Sequence, residues 1–327
     1  MRLTLNYLLK QDKQGAPMID ILVIGGGCAG LTASIYGARA GRRVLVLEQE
    51  NLGGQISYSP RVENYPGISS ISGAEFADNL YEQCLALDVE IDLIQVTGIQ
   101  RKADHFIVTS QGPEIKAKSI IVATGVCHRK LSLDREDEFS GKGVSYCTLC
   151  DGAFYKDEQV VVVGGGNTAL QGAEFLSSLC EKVYLVHRRE AFRGEEKSLL
   201  RLREKKNVEL VTSSLISNLY GQEDLEKVTI KNLLNLGEMD LSVTGLFVLI
   251  GQVPNNKPFE GLLKMDEEGF IEAGEDCKTS QEGIFVAGDC RKKTIRQLTT
   301  AASDGTVAAL EALKYLDELS YLNPDMM

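Results

Sequence analysis

The strongest constraint on the fold of this chain is a local pattern that occurs twice: a short apolar run, a glycine-rich turn and a helical stretch. In the first copy these segments are residues 19–24, 25–30 (GGGCAG) and 31–40, and in the second they are 160–163, 164–169 (GGGNTA) and 170–179. This order is typical of a βαβ unit that binds a dinucleotide, because the glycines allow a phosphate to approach the helix N-terminus. The repeat predicts an α/β protein with two Rossmann-like domains.

The two copies differ at the residue that closes their second strand. Glu48 follows Gly27 by 21 residues, and His187 follows Gly166 by the same 21 residues. An acidic residue at this position accepts hydrogen bonds from a free ribose diol and repels a 2′-phosphate. The first copy is therefore predicted to bind FAD or NAD.

Arginines follow the corresponding position of the second copy. Arg188 and Arg189 come directly after the histidine, and Arg193 lies shortly after them. Guanidinium groups donate forked hydrogen bonds to a phosphate, so the second copy is predicted to bind NADPH. An exposed basic loop is the alternative interpretation, but the position of these arginines favours the phosphate-binding role.

A C-x-x-C-D sequence lies between the two copies along the chain and contains Cys147, Cys150 and Asp151. A redox dithiol, half of a zinc site and two inert buried thiols are the possible interpretations. The zinc site lacks a second cysteine pair and suitably spaced histidines, and the neighbouring glycines suggest a turn and not a packed core. We therefore predict a redox dithiol, with the adjacent carboxyl able to deliver or hold a proton.

A third signature lies near the C-terminal end of the sequence. Residues 282–289 read as a short strand that ends in Gly288-Asp289, followed by Arg296-Gln297 and a helical stretch over about 299–316. In a flavoprotein this acidic residue suits the ribityl chain, and the positive end of the following helix favours the negative charge of a reduced flavin.

These motifs also predict the domain organisation. The first domain is interrupted after residues 120–125 (IIVATG) and resumes near 251–254 (GQVP). We expect an FAD-binding domain made of residues 18–128 and 254–327, with an NADPH-binding domain, 129–253, inserted in it and carrying the dithiol. Residues 1–17 are expected to be a disordered extension that is too short for a further domain.

Composition narrows the class of protein. The formal net charge of −11 argues against a nucleic-acid partner, and no apolar run is long enough to cross a membrane. The 8 cysteines are sparse for a disulfide-rich secreted protein, so a reducing, cytoplasmic location with one special pair is expected.

Taken together, the motifs resemble those of the low-molecular-weight, bacterial-type thioredoxin reductases over about residues 18–318. The segments that carry the resemblance, besides the two glycine turns, are 53–55 (GGQ), 62–67 (VENYPG), 123–125 (ATG), 143–152 (GVSYCTLCDG), 187–189 (HRR), 192–193 (FR), 288–289 (GD) and 296–297 (RQ).

The resemblance implies a homodimeric enzyme in which electrons pass from NADPH to FAD, then to a Cys147–Cys150 disulfide and finally to thioredoxin. It implies that Cys150 lies next to the flavin, that Cys147 attacks the substrate and that Asp151 is the general acid and base. It also implies rotation of the two domains against each other. The implied FAD-binding residues are Gly25, Gly27, Ala29, Gly30, Glu48, Gln49, Gly54, Gln55, Asn64, Ala123, Thr124, Gly125, Gly288, Asp289, Arg296 and Gln297. The implied NADPH-binding residues are Gly164, Gly166, Asn167, Thr168, His187, Arg188, Arg189 and Arg193, and no metal site is expected.

The sequence departs from the family pattern at Cys28, where proline is usual, at Cys290 after the Gly-Asp motif, and at Gln252 in place of a frequent histidine. Packed small residues are a better interpretation of both cysteines than a redox role.

The alternative function is that of a related flavin-dependent disulfide reductase or dithiol oxidase that uses ferredoxin, a glutaredoxin-like protein or oxygen. A redox sensor without turnover is the alternative from another class. The complete second glycine turn and the retained C-x-x-C-D sequence argue against these alternatives.

Overall fold

The structure, a computed structural model, describes residues 18–322, which divide into two compact units. The first unit comprises residues 18–127 and 253–322, and the second unit comprises His128–Gln252, which interrupts the first in sequence. The extension expected at residues 1–17 lies outside the described residues.

In chain order the strands of residues 18–322 are β1 Ile19–Ile24, β2 Val44–Glu48, β3 Glu90–Leu93, β4 Val96–Arg101, β5 Phe106–Ser110, β6 Ile115–Val122, β7 Val126–His128, β8 Val144–Ser145, β9 Gln159–Val163, β10 Lys182–Val186, β11 Val208–Val211, β12 Ser214–Tyr220, β13 Lys227–Asn232, β14 Glu238–Ser242, β15 Gly245–Val248, β16 Gln252–Pro254 and β17 Ile284–Val286. The helices are α1 Cys28–Arg39, α2 Gly73–Leu85, α3 Thr148–Asp151, α4 Asn167–Leu176, α5 Glu196–Glu204 and α6 Leu298–Leu322. Short 3₁₀ turns occur at Gly54–Tyr58, Gly152–Tyr155, Lys257–Phe259 and Gly288–Cys290.

The first unit is built on a mixed sheet with the order β3-β2-β1-β6-β5-β4, and β17 pairs with β6. The strands β3, β2, β1, β6 and β17 run parallel, while β4 and β5 pair antiparallel. Nearly every residue of β1 and β2 is buried, as expected for parallel strands with both faces covered. One face packs against α1, α2 and α6, which explains the continuous apolar sequence of these strands.

The strand register of the first unit brings three motifs to one edge of its sheet. Ile24 pairs with Leu47 on one side and with Val122 on the other, and Val122 also pairs with Val286. The residues that follow these strand ends therefore lie together, although they are far apart in sequence. This edge holds the first glycine turn, the acidic end of β2, the ATG segment and the Gly-Asp motif.

The second unit contains a parallel sheet with the order β11-β10-β9-β15-β8 and a separate antiparallel sheet β12-β13-β14. Val163 of β9 pairs with Val186 and with Val248, so the second glycine turn lies at the carboxyl edge of its own sheet. The strands β7 and β16 pair with each other where the chain passes from one unit to the other. The predicted α/β class is confirmed.

A buried carboxylate organises the loop that leads into β8 in the second unit. Glu136 is 2% exposed and accepts backbone hydrogen bonds from Leu131, Ser132 and Leu133 at 2.9, 2.7 and 3.3 Å. It also accepts a hydrogen bond of 3.0 Å from the hydroxyl of Tyr146, the residue before Cys147. One buried side chain thus accepts from three backbone amides and fixes the approach to the cysteine pair.

We expect Glu136→Ala to lower the free energy of unfolding by about 2–4 kcal/mol, because it leaves three backbone amides and the Tyr146 hydroxyl without their acceptor. Denaturant titration followed by circular dichroism measures the loss. Glu138→Ala is the matched control, because Glu138 is exposed and pairs with Arg135 on the surface. The control is expected to cost less than about 1 kcal/mol. Equal losses in the two variants would contradict the organising role of Glu136.

Candidate functional site

The first glycine turn is held by backbone contacts that leave no room for a side chain. Gly25 has φ +111°, and a Cβ there would lie 2.3 Å from the carbonyl oxygen of Ala123. A Cβ at Gly30 would lie 1.9 Å from the carbonyl oxygen of Gly25. The start of α1 therefore packs directly on the turn. Gly27 precedes the helix in extended backbone, and no side chain caps the helix N-terminus, as expected at a phosphate site.

Glu48 ends β2 beside this turn and is largely buried. Its carboxylate accepts hydrogen bonds from the backbone N–H groups of Gly26 at 2.7 Å and Glu50 at 2.9 Å. A carboxylate has about four acceptor positions, so capacity for hydroxyl donors remains. Glu48 lines a cleft with Gln49 and Thr124, whose apolar walls include Ile94 and Phe259. The cleft combines apolar walls with acceptors, which suits a nucleoside.

The Gly-Asp motif follows β17 at the same edge of the first unit. One carboxylate oxygen of Asp289, Oδ1, is buried and has no hydrogen-bond partner within residues 18–322. Burial raises the pKa of Asp289, although the charges of Lys293 and Arg296 act in the opposite direction. A buried oxygen of this kind requires a donor, and a ligand hydroxyl would supply one.

Other predicted FAD-binding residues are linked by hydrogen bonds within the first unit. The side chain of Asn64 donates to that of Gln297 at 3.4 Å, and Arg296 Nε lies 3.5 Å from the carbonyl oxygen of Asp289. The amide of Gln55 donates to the Val126 carbonyl. The structure therefore brings together residues from the two separate sequence segments of the first unit.

The second glycine turn repeats the geometry of the first. Gly164 has φ +154°, and a Cβ there would lie 2.4 Å from the carbonyl oxygen of Leu249. Gly166 precedes α4 in extended backbone, and again no side chain caps the helix N-terminus. The side chain of Asn167 accepts a hydrogen bond of 2.7 Å from the backbone of Glu195, which ties the turn to the loop after β10.

His187 and the arginines that follow it have different surroundings. The ring of His187 is buried and stacks on Phe192 with 5.1 Å between ring centroids. The ring lies so close to Gly165 that a Cβ there would be only 2.2 Å from it. Burial and then the nearby arginine charges lower its pKa, so the ring is neutral at pH 7. Its Nε2 atom is buried without a partner among the described residues.

Arg188, Arg189 and Arg193 are exposed, and within residues 18–322 none of the three forms an ion pair with a carboxylate. The carbonyl of Gly165 accepts a hydrogen bond of 2.7 Å from the backbone of Arg193, so this loop lies beside the glycine turn. Unpaired guanidinium groups next to an uncapped helix N-terminus suit a ligand that carries several phosphates.

The cysteine pair follows β8 in the second unit, with Cys147 at the N-cap of α3 and Cys150 within that helix. Cys147 and Cys150 form a disulfide, and the backbone N–H of Cys150 donates to Cys147 Sγ at 3.2 Å. Leu149, between them, is 58% exposed, so the segment lies at the surface of its unit. The predicted redox pair is therefore accessible.

Asp151 is joined to the cysteine pair through a residue that the sequence did not single out. Ser145 Oγ donates to Asp151 Oδ2 at 2.7 Å and accepts from the backbone N–H of Cys147 at 3.1 Å. Asp151 Oδ1 is buried and has no partner among the described residues. Burial raises the pKa of Asp151, and the hydrogen bond from Ser145 partly opposes this. The result is a carboxyl that can exchange a proton beside a disulfide.

Comparisons with known proteins agree with this geometry. A family model described as pyridine nucleotide-disulphide oxidoreductase matches residues 19–305. The chain belongs to this family. It is similar to a thioredoxin reductase of Mycoplasma genitalium (40% identity, 89% of this chain and 93% of the relative) and to a 34.2 kDa protein in the rubredoxin operon of Clostridium pasteurianum (40% identity, 94% and 99%). Among solved structures, a thioredoxin reductase from Streptococcus pyogenes MGAS5005 has a TM-score of 0.89 at 36% identity, over 92% of this chain and 99% of that one.

Family membership confirms the predicted resemblance and the fold with two Rossmann-type domains. It identifies an oxidoreductase that uses a flavin and a pyridine nucleotide and acts on a disulfide. No helix within residues 18–322 is long and apolar enough to span a membrane.

Most cysteines of this chain outside the disulfide pair are buried and packed among other side chains. Burial raises the pKa of Cys28 and of Cys290 to about 11, so neither thiol ionises readily at pH 7. Cys84, Cys180 and Cys277 are also buried, while Cys127 is exposed. The packed-residue interpretation of Cys28 and Cys290 is therefore favoured.

Asn256 was not anticipated from the sequence. It is 2% exposed, accepts a hydrogen bond of 3.0 Å from Thr124 Oγ1 and donates to the carbonyl oxygens of Gly269 and Cys290 at 2.9 and 2.8 Å. It thereby joins the ATG segment to the Gly-Asp motif. Its position soon after the GQVP segment is the only sequence signal, and that signal does not reveal its partners.

We expect Asp151→Asn to stabilise the protein at pH 8 but not at pH 4. The folded-state pKa of this carboxyl lies above its unfolded value of about 3.9, so ionisation opposes folding. The stability that the protonated carboxyl contributes is fully present below pH about 4 and is lost as the pH rises through the folded-state pKa. Denaturant titrations at both pH values measure the difference between variant and parent. Asp224→Asn, at an exposed carboxylate of the same unit, is the control. A difference that does not change with pH would contradict the assignment.

Proposed function

We propose that the chain is a thioredoxin-disulfide reductase that passes electrons from NADPH through FAD to the Cys147–Cys150 disulfide and then to the disulfide of oxidised thioredoxin. The observation that carries the proposal is this disulfide, linked through Ser145 to a buried carboxyl, in a chain with two uncapped glycine turns. The thioredoxin reductase names of relatives that are 35–40% identical support it.

The first unit would hold FAD. Its glycine turn and the N-terminus of α1 would receive the pyrophosphate, Glu48 the ribose hydroxyls, and the unpartnered Asp289 oxygen a hydroxyl of the ribityl chain. The remaining residues proposed to contact FAD are Gly25, Gly27, Ala29, Gly30, Gln49, Gly54, Gln55, Asn64, Ala123, Thr124, Gly125, Gly288, Arg296 and Gln297.

The second unit would hold NADPH. The pyrophosphate at α4 would be surrounded by Gly164, Gly166, Asn167 and Thr168. The buried ring of His187 packs against this turn. The unpaired Arg188, Arg189 and Arg193 would bind the 2′-phosphate, which favours NADPH over a protein electron donor such as ferredoxin. When bound, the nicotinamide would supply a hydride, and the flavin would supply two electrons for reduction of the disulfide.

The protein's own groups carry the exchange with the substrate. Cys147 as a thiolate attacks one sulfur of the substrate disulfide, which forms a mixed disulfide and releases the other substrate sulfur as a thiolate. Cys150 then attacks Cys147 Sγ, which restores the Cys147–Cys150 disulfide and releases the second substrate sulfur. The carboxyl of Asp151 donates or accepts the protons at the cysteine pair, which its raised pKa allows. The substrate gains two electrons and two protons, and the enzyme returns to its oxidised form.

The proposal includes a homodimer located in the cytoplasm. A steady-state assay with NADPH or NADH and thioredoxins of the same organism tests the function directly. Disulfide reduction that proceeds with NADPH and thioredoxin supports it, and inactivity with every thioredoxin in spite of flavin reduction by NADPH would refute it.

We expect Arg188→Ala/Arg189→Ala to raise the KM for NADPH by about 10–100-fold and to leave the KM for NADH nearly unchanged, because only NADPH has the 2′-phosphate. Initial rates with both nucleotides measure the ratio. Arg203→Ala removes another exposed arginine of the same unit and serves as the control. An unchanged preference for NADPH in the double variant would overturn the assignment of the second glycine turn.

We expect Cys150→Ser to abolish thioredoxin reduction while NADPH still bleaches the flavin absorbance under anaerobic conditions. Serine cannot form the disulfide that accepts the electrons, whereas the nucleotide sites are untouched. Cys127→Ser removes an exposed cysteine outside the pair and is expected to retain full turnover. Full thioredoxin reduction by Cys150→Ser would show that the pair is not the electron carrier.

A further inference from the structure

A buried ion cluster lies behind the Gly-Asp motif in the first unit. The carboxylate of Asp304, in the second turn of α6, is 6% exposed. It accepts hydrogen bonds from Lys293 at 2.8 Å, from Arg291 at 2.9 Å and from the backbone N–H of Gly288 at 3.1 Å. The cluster uses both carboxylate oxygens, which is the condition under which burial of an ion pair is tolerated. We refer to Asp304, Arg291 and Lys293 as the Asp304 cluster.

The Asp304 cluster lies where the two sequence segments of the first unit meet most closely. A Cβ at Gly305, the next residue of α6, would lie 2.2 Å from the carbonyl oxygen of Ala29. A Cβ at Gly288 would lie 2.9 Å from the side chain of Ala29. Helix α6 and the Gly-Asp turn therefore both contact the start of α1, the helix that follows the first glycine turn. Asp304 connects these contacts through its hydrogen bond to Gly288.

The charges around the cluster are unbalanced. Two carboxylates, those of Asp289 and Asp304, face three cations, those of Arg291, Lys293 and Arg296. The Cys277 thiol donates to the Asp304 carbonyl at 3.7 Å, and burial raises its pKa to about 12, so it adds no charge at pH 7. Lys293 bonds directly to Asp304, and its charge opposes the effect of burial on Asp289. Its side chain is only 8% exposed, so solvent screens this charge weakly.

We propose that Asp304 and Lys293 are positioning residues of the flavin site. Asp304 fixes the Gly288–Asp289 turn against α1, and it holds Lys293 where the positive charge acts on Asp289 and on the flavin. The inference rests on the proposed binding of FAD by the first unit. It adds two residues that lie outside the predicted dinucleotide-binding motifs in the sequence, and it assigns them opposite electrostatic effects.

The first experiment measures FAD retention. Holoenzyme is diluted, and free FAD is followed by its fluorescence to obtain the dissociation constant. Asp304→Asn is expected to raise this constant about tenfold or more, because it removes the negative charge that pairs with two cations and replaces one acceptor oxygen by an NH2 group, which cannot accept a hydrogen bond. Asp317→Asn is the matched control, since Asp317 lies on the same helix and pairs with Arg42 of the other segment, but is 58% exposed. The control is expected to retain FAD like the parent protein.

The second experiment measures the midpoint potential of the bound flavin in a variant of each residue. If the two residues had a purely structural role, the two variants would not shift this potential in opposite directions. Asp304→Asn removes a negative charge and is expected to raise the potential, because a more positive site favours the reduced flavin. Lys293→Met removes a positive charge and is expected to lower the potential. Lys293→Met also keeps the test available if Asp304→Asn does not fold.

The outcomes separate this inference from the proposed function. Parent protein that is purified without flavin and does not bind added FAD would refute the proposed function. Parent protein that binds FAD, combined with variants whose FAD dissociation constant and flavin potential equal the parent's, would overturn only the role of the Asp304 cluster. Potentials that shift in the same direction in both variants would also overturn it, since they would indicate general loosening of the site.

Discussion

The structure depends on a steric constraint that occurs once in each unit: the first glycine of the turn lies so close to the residue that follows a neighbouring strand that no side chain fits between them. In the first unit the contact is between Gly25 and the Ala123 carbonyl, and in the second it is between Gly164 and the Leu249 carbonyl. The glycines allow this approach because they lack a Cβ. The consequence is a helix N-terminus without a side-chain cap at the edge of each sheet, where its N–H groups are available to an anion.

The same backbone geometry acquires different specificity from the residue that ends the neighbouring strand. Glu48 accepts hydrogen bonds from two nearby backbone N–H groups, so the position of its carboxylate in the first cleft is fixed. In the second unit the equivalent residue, His187, is neutral and buried, and the charge is carried by exposed arginines that follow it. The acidic cleft suits a free ribose, and the basic loop suits a phosphorylated one. The same type of unit can thus suit two ligands through a few different side chains after the second strand.

The sequence predicted the parts of the site that are encoded locally. The glycine turns, the ends of their strands and the C-x-x-C-D segment each lie within a short stretch, where spacing alone determines the geometry. Asn256 and Asp304 were missed because their roles depend on partners brought together by folding. Asn256, for example, binds a threonine 132 residues away, and Asp304 binds the Gly288 amide across 16 residues. Ser145 was missed although its partners lie within six residues. A serine, an asparagine and an aspartate have no distinctive pattern of their own, so spacing could not identify them.

Hydrogen bonding distinguishes buried polar groups that support the fold from those that face a ligand or the reaction. Glu136, Asn256 and Asp304 are buried, and each makes several hydrogen bonds within the protein. Asp151, His187 and Asp289 are side chains predicted from the motifs, and each has a buried polar atom without a partner among the described residues. An unsatisfied buried atom costs free energy, so its persistence at these three positions requires compensation elsewhere. A bound cofactor can provide it for Asp289. For Asp151, burial raises the pKa and so disfavours the charged form, whose burial would cost most. The well-bonded residues therefore stabilise the framework, and the incompletely bonded ones lie at positions proposed for cofactor binding and proton exchange.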